Sequence, residues 1–242
     1  MSTPTTLVIV PTYNEVESAP RLISRIAELL SDVHILVVDD GSPDGTADVV
    51  EKMAQSEFVG RIFVMRRKKK SGLGAAYIAG FSWGIEGGYK TLIEMDADGS
   101  HRPEDLVELI KVSRANPNLD LVIGSRWVNG GAVRNWAKSR ELLSRAANKY
   151  AKLMLGVRVN DVTAGFRVYS TSIIEQIDFS TVLSQGYCFQ IEMTRKVLAL
   201  NGKIREFPIT FIEREFGVSK MNTKIVVEAI LRVTLWGLRI TK

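Results

Sequence analysis

The chain has 242 residues, of which 45% are hydrophobic and 24% charged. These globular proportions exclude a disordered or collagen-like chain, and the length fits one large domain or two small ones. A single cysteine, Cys188, excludes an intramolecular disulfide and a Cys-rich zinc site, and two histidines leave little for a His-rich metal centre. The formal net charge of +5 favours an anionic partner, which could be nucleic acid, a phosphorylated metabolite or a membrane surface.

The first 125 residues alternate between buried-strand and amphipathic-helix patterns. Strands are predicted at residues 6–11, 34–39, 61–66, 91–96 and 119–124, and helices at 16–30, 46–55, 74–86 and 103–115. This alternation predicts an α/β fold in which a mostly parallel, Rossmann-like central sheet is flanked by helices. In such sheets the ligand binds at the carboxyl ends of the strands.

The second half alternates less regularly. Helices are predicted at residues 139–155 and 190–200, and strands at 166–170 and 203–213. Pro208 interrupts the last strand, which predicts an edge position. Without repeats or a linker-like segment, we expect one domain over residues 1–242.

Membrane attachment is not predicted through a spanning helix. The first residues lack the features of a signal peptide, and no segment approaches the ~18–20 uninterrupted apolar residues that a span needs. Residues 225–240 are the most apolar window, and Glu228, Arg232 and Arg239 interrupt it. We therefore expect an intracellular protein that does not cross a membrane alone.

Acidic and polar residues follow three of the predicted strands. Asp39 and Asp40 end the second strand, and Asp96 and Asp98 follow the fourth, while the first leads into residues 11–15. Each segment alone is also typical of a turn. Because carboxylates that converge on one sheet edge repel one another, a divalent cation with a bound ligand is expected there. Oxygen ligands of this kind suit Mg²⁺ or Mn²⁺ bound through a diphosphate.

A series of motifs gives these residues a family context. In chain order they are VPTYNE (10–15), VVDDGSPDGT (37–46), GLGAAYIAG (72–80), EMDADGSHRPE (94–104), IGSRWVNGG (123–131), DVTAGFRVY (161–169) and FIEREFGVSKM (211–221). Together they resemble the inverting family-2 glycosyltransferases of the GT-A fold. Within them, the later motifs resemble the polyprenol-phosphate (dolichol-phosphate) mannosyltransferase branch.

This resemblance implies a role for each matching position. The base and ribose pocket would comprise Pro11, Tyr13, Glu15, Val38 and Asp40. The ribose, diphosphate and metal would be handled by Asp96, Ala97 and Asp98, with Ser100, where the family often has Gln, as a weak third metal ligand. The donor diphosphate would be held by Arg214 and Lys220. The acceptor phosphate would face Arg126 and Arg140, which with Asp98 form the expected catalytic set.

The implied reaction is an inverting transfer of mannose from GDP-mannose to polyprenyl or dolichyl monophosphate, dependent on Mg²⁺ or Mn²⁺. Residues 1–125 would then bind the nucleotide sugar, residues 126–220 the acceptor, and residues 221–242 would form a C-terminal amphipathic helix. A phosphate monoester, with a second pKa near ~6, is already a nucleophile at neutral pH. We therefore expect positioning of two anions rather than a general base to be the catalytic task.

Several segments have two readings from sequence alone. Residues 66–70 are basic, which suits either a solvated loop or a contact with the donor or with anionic headgroups. Trp127 and Trp136 flank a Gly-rich loop and are candidates to line the path of a lipid. Asp161 and Arg167 suit either a structural pair with each other or a role near the acceptor. The C-terminal helix either docks on the core or lies at a membrane surface, directly or through a membrane-spanning partner, on the cytoplasmic face.

Three other functions compete. Glucosyl transfer from UDP-glucose to the same lipid uses the same motifs and stays open. A sugar nucleotidyltransferase needs an N-terminal Gly-rich phosphate loop, which residues 10–15 do not supply. An RNA-binding module needs basic residues interleaved with exposed aromatics, whereas the basic residues here gather at phosphate-site candidates, so no nucleic-acid partner is expected.

Overall fold

The computed structural model describes residues 5–184, 186–214 and 223–238, and the elements below lie within those ranges. The strands are β1 (Thr6–Thr12), β2 (Val33–Asp39), β3 (Ile62–Arg66), β4 (Thr91–Glu94), β5 (Leu121–Ser125), β6 (Ala132–Arg134), β7 (Arg167–Ser170), β8 (Ile204–Pro208) and β9 (Thr210–Ile212). The helices are α1 (Ser18–Leu29), α2 (Thr46–Ser56), α3 (Leu73–Glu86), α4 (Pro103–Ala115), α5 (Lys138–Leu155), α6 (Thr171–Ile174), α7 (Tyr187–Ala199) and α8 (Thr223–Gly237).

Seven strands form the central sheet, in the order β3-β2-β1-β4-β7-β5-β8. Pairing is parallel except around β7, which runs antiparallel to both β4 and β5. Strands β6 and β9 form a separate parallel pair. The predicted mostly parallel α/β sheet is confirmed.

The chain reverses direction across the sheet at β1. From β1 it proceeds through β2 to β3 on one side, and α3 then carries it back to β4 on the other side of β1. The connections after β1 and β4 therefore diverge, and a crevice opens between the carboxyl ends of these two strands. Such a switch point is where open α/β sheets bind ligands.

Each face of the sheet is covered by helices, because alternate strand residues point to opposite sides. Val8 and Val10 of β1 pack with residues of α1, α2 and α4. Leu7 and Ile9 of the same strand pack with residues of α3 and α7. Burial on both faces explains why β1 and β2 are almost continuously apolar in the sequence.

Helix α3 lies unusually close to the sheet. A Cβ atom on Gly80 would lie 2.5 Å from Cγ2 of Ile9, and one on Gly84 would lie 2.4 Å from Cδ2 of Leu92. A side chain at either position would force its neighbour to move. The first turn of α3 supplies Leu73 and Ala76 to one wall of the crevice.

The structure differs from the sequence-based prediction mainly in the second half. The predicted strand 203–213 is two strands, since β8 ends at Pro208 on the edge of the central sheet and β9 pairs with β6 instead. Strand β6 and helix α6 were not predicted, and α7 begins three residues before the predicted start. Within the described ranges, no helix has the length and apolarity needed to span a bilayer.

Helix α8 is docked on the core, which was one of the two alternatives for the C-terminal segment. It packs against α5 and α7 through the buried residues Val233 and Trp236. Its other faces leave apolar side chains exposed, including 49% of Ile230 and 58% of Leu231. The helix is docked on the core and still presents an apolar surface.

Candidate functional site

A cleft of about 310 Å³ opens at the switch point. It is lined by residues that follow β1, β2 and β4, by the segment that leads into α3, and by two residues from the second half: Pro11, Thr12, Tyr13, Glu15, Asp40, Lys70, Gly72, Leu73, Ala76, Asp96, Ala97, Asp98, Gly186 and Arg214. The predicted convergence of three strand ends on one edge is confirmed, because β2, β1 and β4 are neighbours in the sheet.

The two adjacent aspartates at the end of β2 have different environments. Asp39 is 2% exposed and accepts hydrogen bonds from the Thr12 hydroxyl (2.9 Å) and from the backbone N–H groups of Gly41 (3.1 Å) and Ser42 (2.8 Å). It therefore ties the end of β1 to the turn after β2. Asp40 lines the cleft instead.

The basic segment after β3 folds over this side of the cleft. Arg67 Nη1 lies 2.6 Å from Asp40 Oδ1, and the Ser71 backbone N–H donates to Asp40 Oδ2 at 3.2 Å. Lys70 Nζ lies 3.9 Å from the centre of the Tyr13 ring, within cation–π range. Lys68 and Lys69 are exposed, so the segment combines solvated residues with two that shape the cleft.

The Asp96–Asp98 motif is held by contacts from three sides. The Tyr77 hydroxyl donates to Asp96 Oδ1 (3.2 Å), and the Asp96 backbone N–H donates to Nδ1 of the buried His101 (3.1 Å). Arg214 Nη1 lies 3.2 Å from Asp98 Oδ2. The acceptor role of Nδ1 requires the neutral imidazole with its proton on Nε2.

The two carboxyl groups of this motif differ in acidity. Burial raises the pKa of Asp96 above its usual value. Burial also opposes ionisation of Asp98, but the hydrogen bond from the Ser100 backbone N–H and the positive charge of Arg214 outweigh it and lower the pKa of Asp98. Burial lowers the pKa of His101, in agreement with its neutral form. The cleft therefore holds an ionised Asp98 beside a guanidinium.

Arg126 lies outside the cleft residues and is 8% exposed. Its Nε and Nη2 atoms each lie 2.7 Å from a carboxylate oxygen of Asp161, and Nη2 also donates to the Thr163 hydroxyl at 2.9 Å. The expected pairing of Asp161 with Arg167 is wrong. Asp161 binds Arg126, because the segment at 161–165 places its carboxylate against the end of β5 while Arg167 points to other oxygens.

Aromatic rings surround the guanidinium of Arg126. Its central carbon lies 5.4–5.6 Å from the ring centres of Trp127, Trp136 and Phe211. Arg140 stacks on Trp136 at 4.0 Å. Both indole nitrogens are buried and have no hydrogen-bond partner within the described ranges. We call this group of two arginines and three aromatic residues the Arg–Trp cluster.

Two consecutive residues connect the Arg–Trp cluster to the cleft. Glu213 forms an ion pair with Arg140, and Arg214 forms the ion pair with Asp98. Phe211 adds a second connection, since it contacts both Trp136 and His101 with ring centres 5.4 Å apart. The Arg–Trp cluster and the cleft are therefore neighbouring parts of one region.

Eight of the predicted site residues line the cleft: Pro11, Tyr13, Glu15, Asp40, Asp96, Ala97, Asp98 and Arg214. Val38 does not reach its surface, since this fully buried residue of β2 packs in the core. Ser100 is 1% exposed and is not among the lining residues, and its backbone N–H donates to Asp98 Oδ1 at 3.1 Å. Arg126 and Arg140 belong to the Arg–Trp cluster, and Lys220 lies outside the described residues.

Six cleft residues are not among the predicted site residues: Thr12, Lys70, Gly72, Leu73, Ala76 and Gly186. Of these, Lys70 belongs to the basic segment 66–70, for which a contact with the donor is one of the two sequence-based interpretations. The available signal was the GLG motif directly after a basic run. The motif GLGAAYIAG (72–80) contributes to the family resemblance, but it carries no expectation for individual site residues. Gly186 follows no strand and left no signal.

The architecture and the acidic cleft define a class of protein. A mostly parallel sheet with a switch-point cleft and an Asp-x-Asp motif after the fourth strand is the arrangement of the GT-A glycosyltransferases. Residues 7–178 match the family model described as glycosyl transferase family 2. The chain belongs to this family and is a glycosyltransferase.

Curated relatives and solved structures agree with this assignment. The chain is 51% identical to polyprenol monophosphomannose synthase of Mycolicibacterium smegmatis, over 97% of this chain and 87% of the relative. It is 48% identical to undecaprenyl-phosphate mannosyltransferase of Micrococcus luteus, over 96% of this chain and 93% of the relative. Glucosyl-3-phosphoglycerate synthase of Mycobacterium tuberculosis, solved with Mn²⁺, UDP-glucose and phosphoglyceric acid, shares the fold with a TM-score of 0.70 at 16% identity, over 98% of this chain and 81% of that one.

Proposed function

We propose that this enzyme transfers mannose from GDP-mannose to a polyprenyl monophosphate, with inversion at the anomeric carbon. The observation that carries the proposal is the junction of an acidic cleft with the Arg–Trp cluster through Glu213 and Arg214. One side suits a nucleotide sugar and the other a phosphate attached to an apolar chain. The near-full-length similarity to two enzymes named for polyprenyl-phosphate mannosylation supports the same substrates.

On the donor side, the residues after β1 and β2 take the nucleoside, and Asp96 to Asp98 take the diphosphate end. Tyr13 and Asp40 offer an aromatic face and a carboxylate for the base. Arg214 stabilises negative charge as it develops on the leaving diphosphate, with Lys220 as a second cation. Residues 1–125 supply most of this half, to which residues beyond 125 add Gly186 and Arg214.

The chemistry of the cleft fits a hard divalent cation. Asp96 and Asp98 offer carboxylate oxygens, and the hydroxyl of Ser100 is buried without a hydrogen-bond partner among the described residues. Asp98 already binds one cationic group, the guanidinium of Arg214. Bound Mg²⁺ or Mn²⁺ would neutralise charge on the diphosphate, held by Asp96, Asp98 and Ser100.

On the acceptor side, Arg126 and Arg140 orient the lipid phosphate. One phosphate oxygen forms a bond to the anomeric carbon as the bond from that carbon to the diphosphate oxygen breaks, and GDP leaves. No proton moves, because the phosphate monoester is largely ionised at neutral pH. Trp127 and Trp136 provide apolar faces for the first isoprene units.

A lipid acceptor requires contact with a bilayer, and we assign this contact to the surface formed by α5 and α8 at the cytoplasmic face. Helix α5 exposes 70% of Leu142, 50% of Leu143 and 79% of Leu153. Lys149 on the same helix is exposed and adds positive charge for anionic headgroups, whereas Arg145 is paired with Glu141. If the purified protein does not bind liposomes, the alternative is that a membrane-spanning partner docks on this surface.

Two experiments test the proposal. Purified enzyme is incubated with radiolabelled GDP-mannose or UDP-glucose, several polyprenyl phosphates and Mg²⁺ or Mn²⁺, and the lipid product is analysed. Mannolipid is expected from GDP-mannose. If glucolipid forms from UDP-glucose and no mannolipid forms from GDP-mannose, the rival donor is established. In flotation with anionic liposomes, Leu142→Glu/Leu143→Glu should abolish binding, and Val59→Glu, at an apolar residue 71% exposed outside α5 and α8, should not.

A further inference from the structure

Arg167 at the start of β7 has no exposed surface, and its hydrogen bonds go to neutral oxygens. We propose that Arg167 is a positioning residue for the acceptor arginine: it holds the segment 161–165, and this segment sets the place of the Arg126 guanidinium. The inference rests on the proposed acceptor role of Arg126. Arg167 itself touches no substrate.

The guanidinium of Arg167 clamps this segment with one edge. Nε donates to the carbonyl of Ala164 at 2.7 Å, and Nη2 donates to the carbonyl of Val162 at 2.9 Å. Nη1 is anchored in the core by the hydroxyls of Thr194 (3.0 Å) and Tyr169 (3.3 Å). A planar fork with fixed donors suits two carbonyls two residues apart, which a lysine ammonium cannot hold together.

The intervening residues of the same segment hold Arg126. Asp161 receives both Nε and Nη2 of Arg126, and also its backbone N–H at 2.9 Å. Thr163 accepts from Nη2 at 2.9 Å. Residues 162 and 164 thus bind Arg167 through their carbonyls, while residues 161 and 163 bind Arg126 through their side chains. The segment is a rigid spacer between two guanidinium groups.

The segment 161–165 also runs next to the Asp-x-Asp motif of the cleft. A Cβ atom on Gly165 would lie 3.6 Å from Asp96 Oδ2, so the backbone there runs against the Asp-x-Asp motif. Glu206 and Asn148 hold the segment from outside, through the Asp161 backbone N–H (2.9 Å) and the Thr163 backbone N–H (3.3 Å). Loss of the inner clamp should therefore shift the segment without unfolding it. A displacement of ~1 Å of a substrate-positioning group can cost up to about 100-fold in rate.

The test is Arg167→Lys, which keeps the charge and removes the fork. With farnesyl phosphate as acceptor, we expect KM for the acceptor to rise roughly 10-fold or kcat to fall by a similar factor. GDP affinity by calorimetry with Mg²⁺ should change less than about twofold, since Asp96 keeps its contacts with Tyr77 and His101. The matched control is Val197→Ala, at a buried apolar residue of the same helix α7 whose side chain makes no hydrogen bond to Arg167, and it should lower Tm without changing the acceptor KM.

A double-mutant cycle with Arg126→Ala decides whether the effect passes through Arg126. If it does, Arg167→Lys has little further effect on acceptor kinetics in the Arg126→Ala background. Independent effects that multiply would overturn the positioning role. Should Arg126→Ala alone leave the acceptor KM and kcat unchanged, the proposed role of Arg126 is what fails.

If Arg167→Lys does not fold, Thr163→Val tests the other end of the spacer. It removes the hydroxyl that Arg126 and Asn148 share and keeps the shape of the side chain. The acceptor KM should rise while GDP affinity stays constant. An unchanged acceptor KM would show that the segment does not position Arg126.

Discussion

The same substitution at the adjacent residues Asp39 and Asp40 should affect different properties, mainly stability at Asp39 and mainly nucleotide binding at Asp40. Asp39→Ala removes the acceptor for the backbone N–H groups of Gly41 and Ser42 and for the Thr12 hydroxyl. Donors left without an acceptor cost about 1–3 kcal/mol each when buried, and the turn is partly exposed, so we expect a loss of about 3 kcal/mol. For a chain of this length that lowers Tm by roughly 6–12 °C.

Asp40→Ala removes a partly buried ion pair with Arg67, whose side chain still reaches solvent. The expected loss of stability is about 1 kcal/mol, or roughly 2–4 °C in Tm. The larger effect is on binding, since a hydrogen bond to a charged group contributes about 1.5–3 kcal/mol, or roughly 10- to 100-fold in GDP affinity.

Thermal unfolding gives the Tm of each variant, and calorimetric titration at a temperature below that Tm gives its affinity for GDP. Both measurements are made with Mg²⁺. The expected pattern is a low Tm for Asp39→Ala and a low affinity for Asp40→Ala. Equal changes in Tm for the two variants, or a greater loss of GDP affinity in Asp39→Ala, would refute the division of roles.

Three further predictions concern the scaffold. Gly80→Ala should lower stability by about 1–3 kcal/mol in thermal unfolding, because its Cβ would lie 2.5 Å from Ile9, whereas Ser82→Ala on the exposed side of α3 should not. Burial raises the pKa of Glu94 to about 8. Between pH 4.5 and 8 the folded state therefore holds a proton that the unfolded state releases, and stability should fall by up to about 1.4 kcal/mol per pH unit as the pH rises. Glu94→Gln should flatten that slope in denaturant titrations. Burial also raises the pKa of the Cys188 thiol to about 12, and native protein should resist a thiol reagent at pH 8 that labels it in denaturant; rapid native labelling would contradict this.

The first half of the fold was predictable because its elements follow from local pattern. Helix α4 begins at Pro103 and ends at Ala115, as its proline and apolar spacing predict. The second half was less predictable because pairing there is set by tertiary contacts. Strand β6 has three residues and pairs with β9, nearly eighty positions later, so no local signal marks either boundary.

The site divides in the same way. The strand-end motifs located Asp40, Asp96 and Asp98, because carboxyl ends of neighbouring parallel strands must meet. Which of two adjacent aspartates faces the cleft depends on how the turn after β2 folds back on Thr12, which no spacing encodes. Lys70 reaches the cleft only because the segment after β3 folds over Tyr13.

The dipeptide Glu213–Arg214 places the Arg–Trp cluster and the cleft on one peptide unit. Glu213 pairs with Arg140, and Arg214 pairs with Asp98. If a nucleotide displaced Arg214 from Asp98 and the backbone followed, the ion pair of Glu213 with Arg140 would change as well. Thermodynamic linkage would then require a ligand at either place to change the affinity for the other by the same factor.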